Sequence, residues 1–399
     1  MMALLSSSSL RGTTFIALYS QNPTLFPSPA FPLRRHVRAS SFRPTPILFP
    51  TTLIHNSNNS FVTNATPIPA GDIQTLTPAP DPDYWPEFAD RVSGEWDGFA
   101  ADFTPQGAPI ELPESVVPEA YREWEVKVHD WQTQCPTLAR PEPEPDRTIS
   151  YTTIKLLPTV GCEADAATRY TSDERAASSA SAFAYHSSGS YVAAWPGAAA
   201  APNKLELENC FVNPQDRESR VRILLALNLV RHSDDDENPT TSLEVAGIRV
   251  FREQWYGPFR NGDQLGGCAI RDTAFAATAP LHPDKLFGFP WRRGPTAVAA
   301  FQLHHQPNGL IQQLSDGNDS SSSSLEKERL VRDASGGVVL LPKQIWYAVK
   351  ENWCEVGWLF DDGKAVTCTS RIAPDATLKE VRLAQETAVL EGDQAPNSP

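Results

Sequence analysis

No acidic residue precedes Asp72. The residues before it carry five arginines (Arg11, Arg34, Arg35, Arg38 and Arg43), no lysine, and abundant Ser, Thr and Pro. Without acids or a periodic apolar face such a segment cannot build a core. It reads as an organelle import peptide and disordered leader over residues 1–71. The serines at 6–9 and the lack of an Arg-studded amphipathic helix favour a plastid, with cleavage near Ala39 and Ser40. The expected location is the chloroplast stroma.

Other absences narrow the function. No apolar run reaches the roughly 18–20 residues that cross a bilayer. The longest, residues 221–230, is broken by Arg222 and Asn228, so no membrane span is expected and the mature protein should be soluble. Basic charge is scarce, with 34 Lys and Arg against 48 Asp and Glu and a formal net charge of −14. Nucleic acid needs a cationic footprint that this body does not have; an anionic lipid surface is excluded on the same ground. The six cysteines (Cys135, Cys162, Cys210, Cys268, Cys354 and Cys368) form neither CxxC nor CxxH, which removes zinc-finger spacing. Free, buried thiols are expected in a reducing stroma.

The usual reaction motifs are missing as well. There is no Gly-x-Ser-x-Gly, phosphate loop or dinucleotide Gly-x-Gly-x-x-Gly. The Leu-Gly-Gly-Cys at 265–268 is a turn with no helix behind it. The acids at 234–237 lack the Gly and distant Glu of a calcium loop. His304 and His305 are adjacent on an expected strand and so point to opposite faces. Asp361 and Asp362 sit at a hairpin tip. No catalytic residue, metal site or cofactor is assigned.

What the chain does have is period-2 alternation. Trp124, Val126 and Val128 alternate with polar residues. So do Ile149, Tyr151 and Thr153; Leu205, Leu207 and Phe211 (with Asn209 on their face); Val221, Ile223, Leu225 and Leu227; and Leu243, Val245, Ile248 and Val250. Later strands are expected at 297–305, 337–341, 344–349, 353–360, 364–371 and 378–386. A three-residue loop at 361–363 pairs Trp358 with Val366, Val356 with Cys368 and Cys354 with Ser370, with Gly363 in the left-handed position. Helical signal is thin: a short helix at 82–92 and a weak one in the Ala-rich 175–184. Stretches 140–147, 171–202, 232–241 and 315–328 read as insertions at strand ends.

Two segments recur. Glu-Trp-Asp-Gly-Phe at 95–99 returns as Glu-Gln-Trp-Tyr-Gly-Pro-Phe at 253–259. Ile-Arg-Val-Phe-Arg-Glu at 248–253 returns as Val-Arg-Leu-Ala-Gln-Glu at 381–386. A long-period repeat of strands points to two related β units in tandem: residues 82–253 and 254–390, with Trp96 and Trp255 opening the copies and Arg249 and Arg382 closing them.

Gly94, Glu95 and Trp96 form a Gly-x-Trp at the head of the first strand, which resembles the lipocalin and calycin barrels. That resemblance implies a base plugged by the tryptophan under an arginine of the last strand, hence pairs Trp96–Arg249 and Trp255–Arg382. The stretch 85–106 and the Trp-Cys-Glu-Val-Gly-Trp-Leu at 353–359 resemble a cyanobacterial and chloroplast family of uncharacterised proteins with two tandem lipocalin-like barrels. The likeness covers residues 82–388 but is patchy over 132–203. Glu253 stands where the second Gly-x-Trp would have its glycine. The family brings no agreed activity.

The fold class expected is therefore all-β: two tandem lipocalin-like antiparallel barrels behind a transit segment. Such barrels take a hydrophobic small molecule such as a pigment, tetrapyrrole or lipid. Trp346, Trp358, Phe301, Tyr347, Arg260 and Cys354 are candidate second-barrel contacts. Bilin lyases also use lipocalin-like barrels; by that analogy Cys268 and Cys354 with Arg260, Arg271 and Asp263 would hold a tetrapyrrole. An enzyme of the lyase or isomerase kind predicts a buried polar cluster with shifted pKa values. A non-catalytic scaffold predicts filled barrels. No protein partner is identified.

Overall fold

In a computed structural model of the chain, the described residues are 82–142, 146–160, 168–197, 203–232, 240–263, 274–288, 290–301, 311–316 and 337–389. The leader, the acid run at 234–237, Cys162, Cys268, Arg271, His304 and His305 lie outside them. The fold is all-β, with a few short helices.

Helix α1 (Trp85–Val92) carries Pro86 in its first turn, where the ring's fixed φ is pre-set for a helix. It buries Trp85, Phe88, Ala89 and Val92, the spacing of one helical face. Ten strands follow: β1 (Glu95–Phe103), β2 (Asp130–Gln134), β3 (Thr137–Arg140), β4 (Thr148–Leu156), β5 (Arg169–Ala176), β6 (Ala182–Tyr185), β7 (Tyr191–Pro196), β8 (Lys204–Val212), β9 (Ser219–His232) and β10 (Thr240–Gly257), with α2 (Glu119–Glu123) between β1 and β2. A short β12 (Ile311–Gln313) joins them, giving the order β12-β6-β7-β8-β9-β10-β1-β2-β4-β3 with β5 on β4. After α3 (Pro283–Phe287), the second sheet comprises β11 (Trp291–Ala300), β13 (Ser315–Asp316), β14 (Val339–Leu341), β15 (Ile345–Lys350), β16 (Trp353–Asp361), β17 (Lys364–Ile372) and β18 (Leu378–Ala388), ordered β13-β11-β18-β17-β16-β15-β14.

In each sheet the first long strand pairs antiparallel with the last, β1 with β10 and β11 with β18. The first sheet curls. The Tyr151 hydroxyl on β4 donates to Glu208 on β8, although β9, β10, β1 and β2 lie between those strands in pairing order. Period-2 alternation then gives this sheet an inner face of mixed polarity and an outer apolar face. The outer face (Leu205, Leu207, Val221, Ile223, Leu225 and Val250) packs in one buried cluster with Cys354, Val356, Trp358, Val366, Cys368 and Val381 of the second sheet. The two sheets therefore lie with their apolar faces together.

The expected hairpin is present in its expected register. Trp358 faces Val366, Val356 faces Cys368 and Cys354 faces Ser370, with Gly363 at φ 72°. Four expectations are corrected. Trp124 and Val126 are not strand residues. The chain there leaves α2, and the two are 60% and 46% exposed. Residues 175–184 form no α-helix but end β5 and begin β6. The described part of the 171–202 stretch, up to 197, is not an insertion: β6 and β7 bury both faces, and alanine is small enough to fit on the crowded ones. Finally, Trp255 does not open a second copy. It lies near the end of β10, directly opposite Trp96, so position 253/254 falls inside a continuous strand.

The counterpart of Trp96 is Trp291. Trp96 follows α1 and donates its indole N–H to Val92 O at 2.9 Å. Trp291 follows α3 and donates to Leu286 O at 2.8 Å. On the closing strands Glu253 faces Gly98 and Glu386 faces Arg293, so the closing segments at 248–253 and 381–386 do correspond.

Candidate functional site

The residues proposed from sequence separate into two groups. Trp358, Tyr347 and Cys354 are buried in the seam between the sheets, and Phe301 packs against it. The Tyr347 hydroxyl donates to Pro105 O. Trp346 is fully buried on the opposite face of the second sheet, with Leu359, Ala365 and Trp291; its indole N–H donates to Glu355 at 3.3 Å. Arg260 lies in the loop after β10, where its backbone N–H donates to Glu95 and its guanidinium lies 5.7 Å from the Tyr256 ring. A cleft of about 50 Å³ opens between the sheets, lined by His186, Ser190, Val212, Ala297, Val366 and Leu383 among others. That is room for water only, far below a ligand site of several hundred Å³.

The expected arginine–tryptophan pairs are also corrected. Arg249 sits opposite Asp102, several residues along the strand from Trp96, and binds it through Nε at 2.5 Å and Nη2 at 3.1 Å. The cation over Trp96 is Arg220, 4.2 Å from the ring centroid. Trp255 donates to Ser93 O at 3.2 Å, while Arg382 lies on the second sheet and binds Glu380 at 2.5 Å.

The inner face of the first sheet holds what the sequence reading missed. Glu208 accepts from Tyr151 and Tyr191 hydroxyls, from Trp195 Nε1 at 2.8 Å and from Arg222 Nη1 at 3.1 Å. Glu253 accepts from Arg220 Nε at 2.7 Å and from Arg222 Nε and Nη2 at 2.9 and 2.8 Å. All four charged side chains are buried. Desolvation alone would push the two carboxyls towards their neutral form. Burial pushes Glu208 up, but Arg222, Arg175 and the two tyrosines outweigh it and hold its carboxyl below the ordinary value. Arg220 and Arg222 do the same for Glu253. Burial, then Glu208, pushes the Tyr151 and Tyr191 hydroxyls well up. Burial raises the Cys135 thiol and pushes Cys210 to about 12. The shifts favour carboxylates at Glu208 and Glu253 and neutral hydroxyls at Tyr151 and Tyr191, so the network braces the face.

Beyond the network the same face changes character. Ala100, Leu224 and Phe251 form a small apolar cluster, and Trp131 stands beside Ala100 across β1 and β2. Trp131 stacks on Tyr170 at 5.1 Å and 15°. The excursion between β1 and β2 covers its far side with Leu112, Val116 and Val117. Lys155, half-buried, places Nζ 4.9 Å from the Trp131 ring. Burial, and then the charge of Arg249, lower this amine to about 8. The patch is packed: Ala100, Leu224 and Phe251 are buried, the Arg222 guanidinium lies 4.2 Å from the Phe251 ring, and Tyr170 and Lys155 stand at its more exposed edge.

No protein-family model matches the chain, and no curated protein matches it. Among solved structures it is similar to a protein of unknown function from the DUF3598 family of the cyanobacterium Nostoc punctiforme PCC 73102, at 13% identity and a TM-score of 0.41, over 77% of this chain and 100% of that one. It also aligns with outer membrane phospholipase A from Escherichia coli at 8% identity and a TM-score of 0.13, over 75% of this chain and 90% of that one. Likenesses this distant carry nothing about the chemistry of the inner face.

Proposed function

We propose that the chain is a plastid lipocalin-like protein that binds a hydrophobic small molecule (a pigment, tetrapyrrole or lipid), and that it belongs to the cyanobacterial and chloroplast two-barrel family it resembles. In this reading the two sheets, divided after Gly257, are the two barrels and 1–71 the transit leader. The supporting observation is the division of the inner face of the first sheet. Its deep part is filled by a buried charge network; beyond it Ala100, Leu224 and Phe251 pack beside Trp131, Tyr170 and Lys155. Apolar walls with one placed polar group are what a small-molecule site needs. Each Å² of apolar ligand surface removed from water contributes roughly 25 cal/mol. Pairing of first and last strands in each sheet supports the barrel relationship.

The site thus moves from the second half of the chain, where Trp358, Tyr347 and Cys354 fill a seam, to the first. The test is titration of the full chain with long-chain fatty acids, a carotenoid and an open-chain tetrapyrrole, followed by tryptophan fluorescence. At least one class should quench saturably, and Tyr170→Ala should weaken it. Absence of quenching by every class, together with ligand-free protein on mass spectrometry of plastid-purified material, would remove the reading.

A further inference from the structure

We propose that the turn after α2, built around Trp124, is a docking surface for a basic amphipathic helix of a partner protein. Among the described residues five large apolar side chains are 44% to 60% exposed, and three of them (Ile110, Trp124 and Val126) lie on the one excursion between β1 and β2. Trp124 is the most exposed of the five, with Val126 two residues on. The turn that carries them is braced. The Trp124 N–H donates to Ala120 O at 3.0 Å, that of Glu125 to Arg122 O at 3.1 Å and that of Val126 to Tyr121 O at 2.9 Å. Glu125 takes the left-handed conformation at φ 54°, which a residue with a Cβ adopts only at a cost. The Trp124 ring meets the Tyr121 ring edge-on, at 6.1 Å and 82°. Tyr121 in turn packs on the buried Leu112, Val116 and Val117. The indole is thus seated on a fixed base while most of it stays in water, the placement of an interface anchor.

Charge decides the partner. Glu119, Glu123 and Glu125 are all exposed around Trp124 in the chain, and none has an ion-pair partner among the described residues. Glu119 and Glu123 stand four apart on α2, the spacing at which like charges repel across one helix face. Arg122 is the one cation in α2, and Lys127 is engaged by Glu111 at 3.6 Å. A complementary partner brings an apolar stripe to Trp124 and Val126 and cations to the three glutamates. A helix with leucines on one face and lysine or arginine along its margins has both. A second copy of this chain, with its formal net charge of −14, would set acid against acid. An anionic lipid surface is repelled on the same ground, and a neutral one leaves the glutamates without a counter-charge. This surface does not rest on the small-molecule reading.

The experiment titrates the full chain into a short fluorescein-labelled amphipathic helix made only of leucine and lysine, read by fluorescence anisotropy. Saturable binding that weakens with added salt is expected. Trp124→Ser should weaken it at least about tenfold. Glu123→Lys, which leaves the Tyr121–Trp124 contact in place, should weaken it about fivefold. Glu244→Lys makes the same charge change at an exposed position of β10 and should stay within about twofold of the parent chain. Equal weakening by Glu244→Lys would reduce the effect to net charge and overturn the surface. Absence of binding, or binding indifferent to Trp124→Ser, would overturn it too. Neutral phosphatidylcholine vesicles form the last arm. No Trp124-dependent binding to them is expected; finding it would give the turn to a lipid surface and remove the protein partner.

Discussion

The guanidinium of Arg220 lies 4.2 Å from the Trp96 ring centroid and donates from Nε to Glu253 at 2.7 Å. Indole, guanidinium and carboxylate follow one another at the α1 end of the first sheet. Arg220→Met should therefore cost about 2–4 kcal/mol, because it removes a desolvated cation–π contact and half of the compensation for a buried carboxylate. Arg249→Met, at the half-exposed pair with Asp102, should cost under about 1 kcal/mol. Urea unfolding of the two variants separates them; equal losses would contradict the assignment.

Glu208 and Glu253 give the fold an acid limit. Both carboxyls are held below their ordinary value by the arginines that outweigh burial, so on acidification the unfolded chain takes up the protons first. Their contribution is complete above the ordinary Glu value of about 4.3 and is lost as pH falls through the lower folded values. Glu208→Gln should cost about 2–4 kcal/mol at pH 7 and progressively less towards pH 3. A cost independent of pH would show that the ion pairs are not responsible.

Asp97 has the opposite sign. It is 4% exposed and its Oδ1 has no hydrogen-bond partner; burial, against a bond from Gln134, raises its carboxyl to about 6. The folded state thus holds its proton longer than the unfolded chain. Stability from this group is greatest below the ordinary value of 3.8 and declines as pH rises to about 6. Asp97→Asn should stabilise the protein above pH 6 by about 1–3 kcal/mol, with the gain fading below pH 4. Chemical denaturation at both pH values reads it.

Gly357 faces Trp346 across β15 and β16. A Cβ added there would stand 2.0 Å from the Trp346 ring, so Gly357→Ala forces the indole out of its place. About 1–3 kcal/mol should be lost, and Trp346→Leu in the same chain should restore part of it. If the double variant is as unstable as the sum of the singles, steric conflict is not the cause.

Much of the strand pattern was legible because it depends on local alternation. The 354–370 hairpin was readable to the residue, since slipping by one would have put Val366 and Cys368 on the wrong face. Trp255 misled because a repeated word does not carry its register; only the pairing shows it ending β10 opposite Trp96. The insertion reading of 171–202 failed because alanines look featureless until two faces close on them. The network was the largest omission. Its signal was present: Arg220 and Arg222, and Glu206 and Glu208, are like charges two apart within otherwise apolar strands. Such spacing aims both members of each pair at one face, and the register of β8, β9 and β10, which sets Arg220 opposite Glu253 and Arg222 opposite Cys210, shows that they meet.

The seam between the sheets has a historical consequence. Val221, Ile223, Leu225 and Val250 are shielded by Val356, Trp358 and Cys368 of the other half, so neither half has a wettable back of its own. A descendant that lost the region after Gly257 would inherit a greasy slab open to every neighbour. Whatever the two halves once were, each is now the other's missing coat, and deletion in either direction is a route closed to evolution.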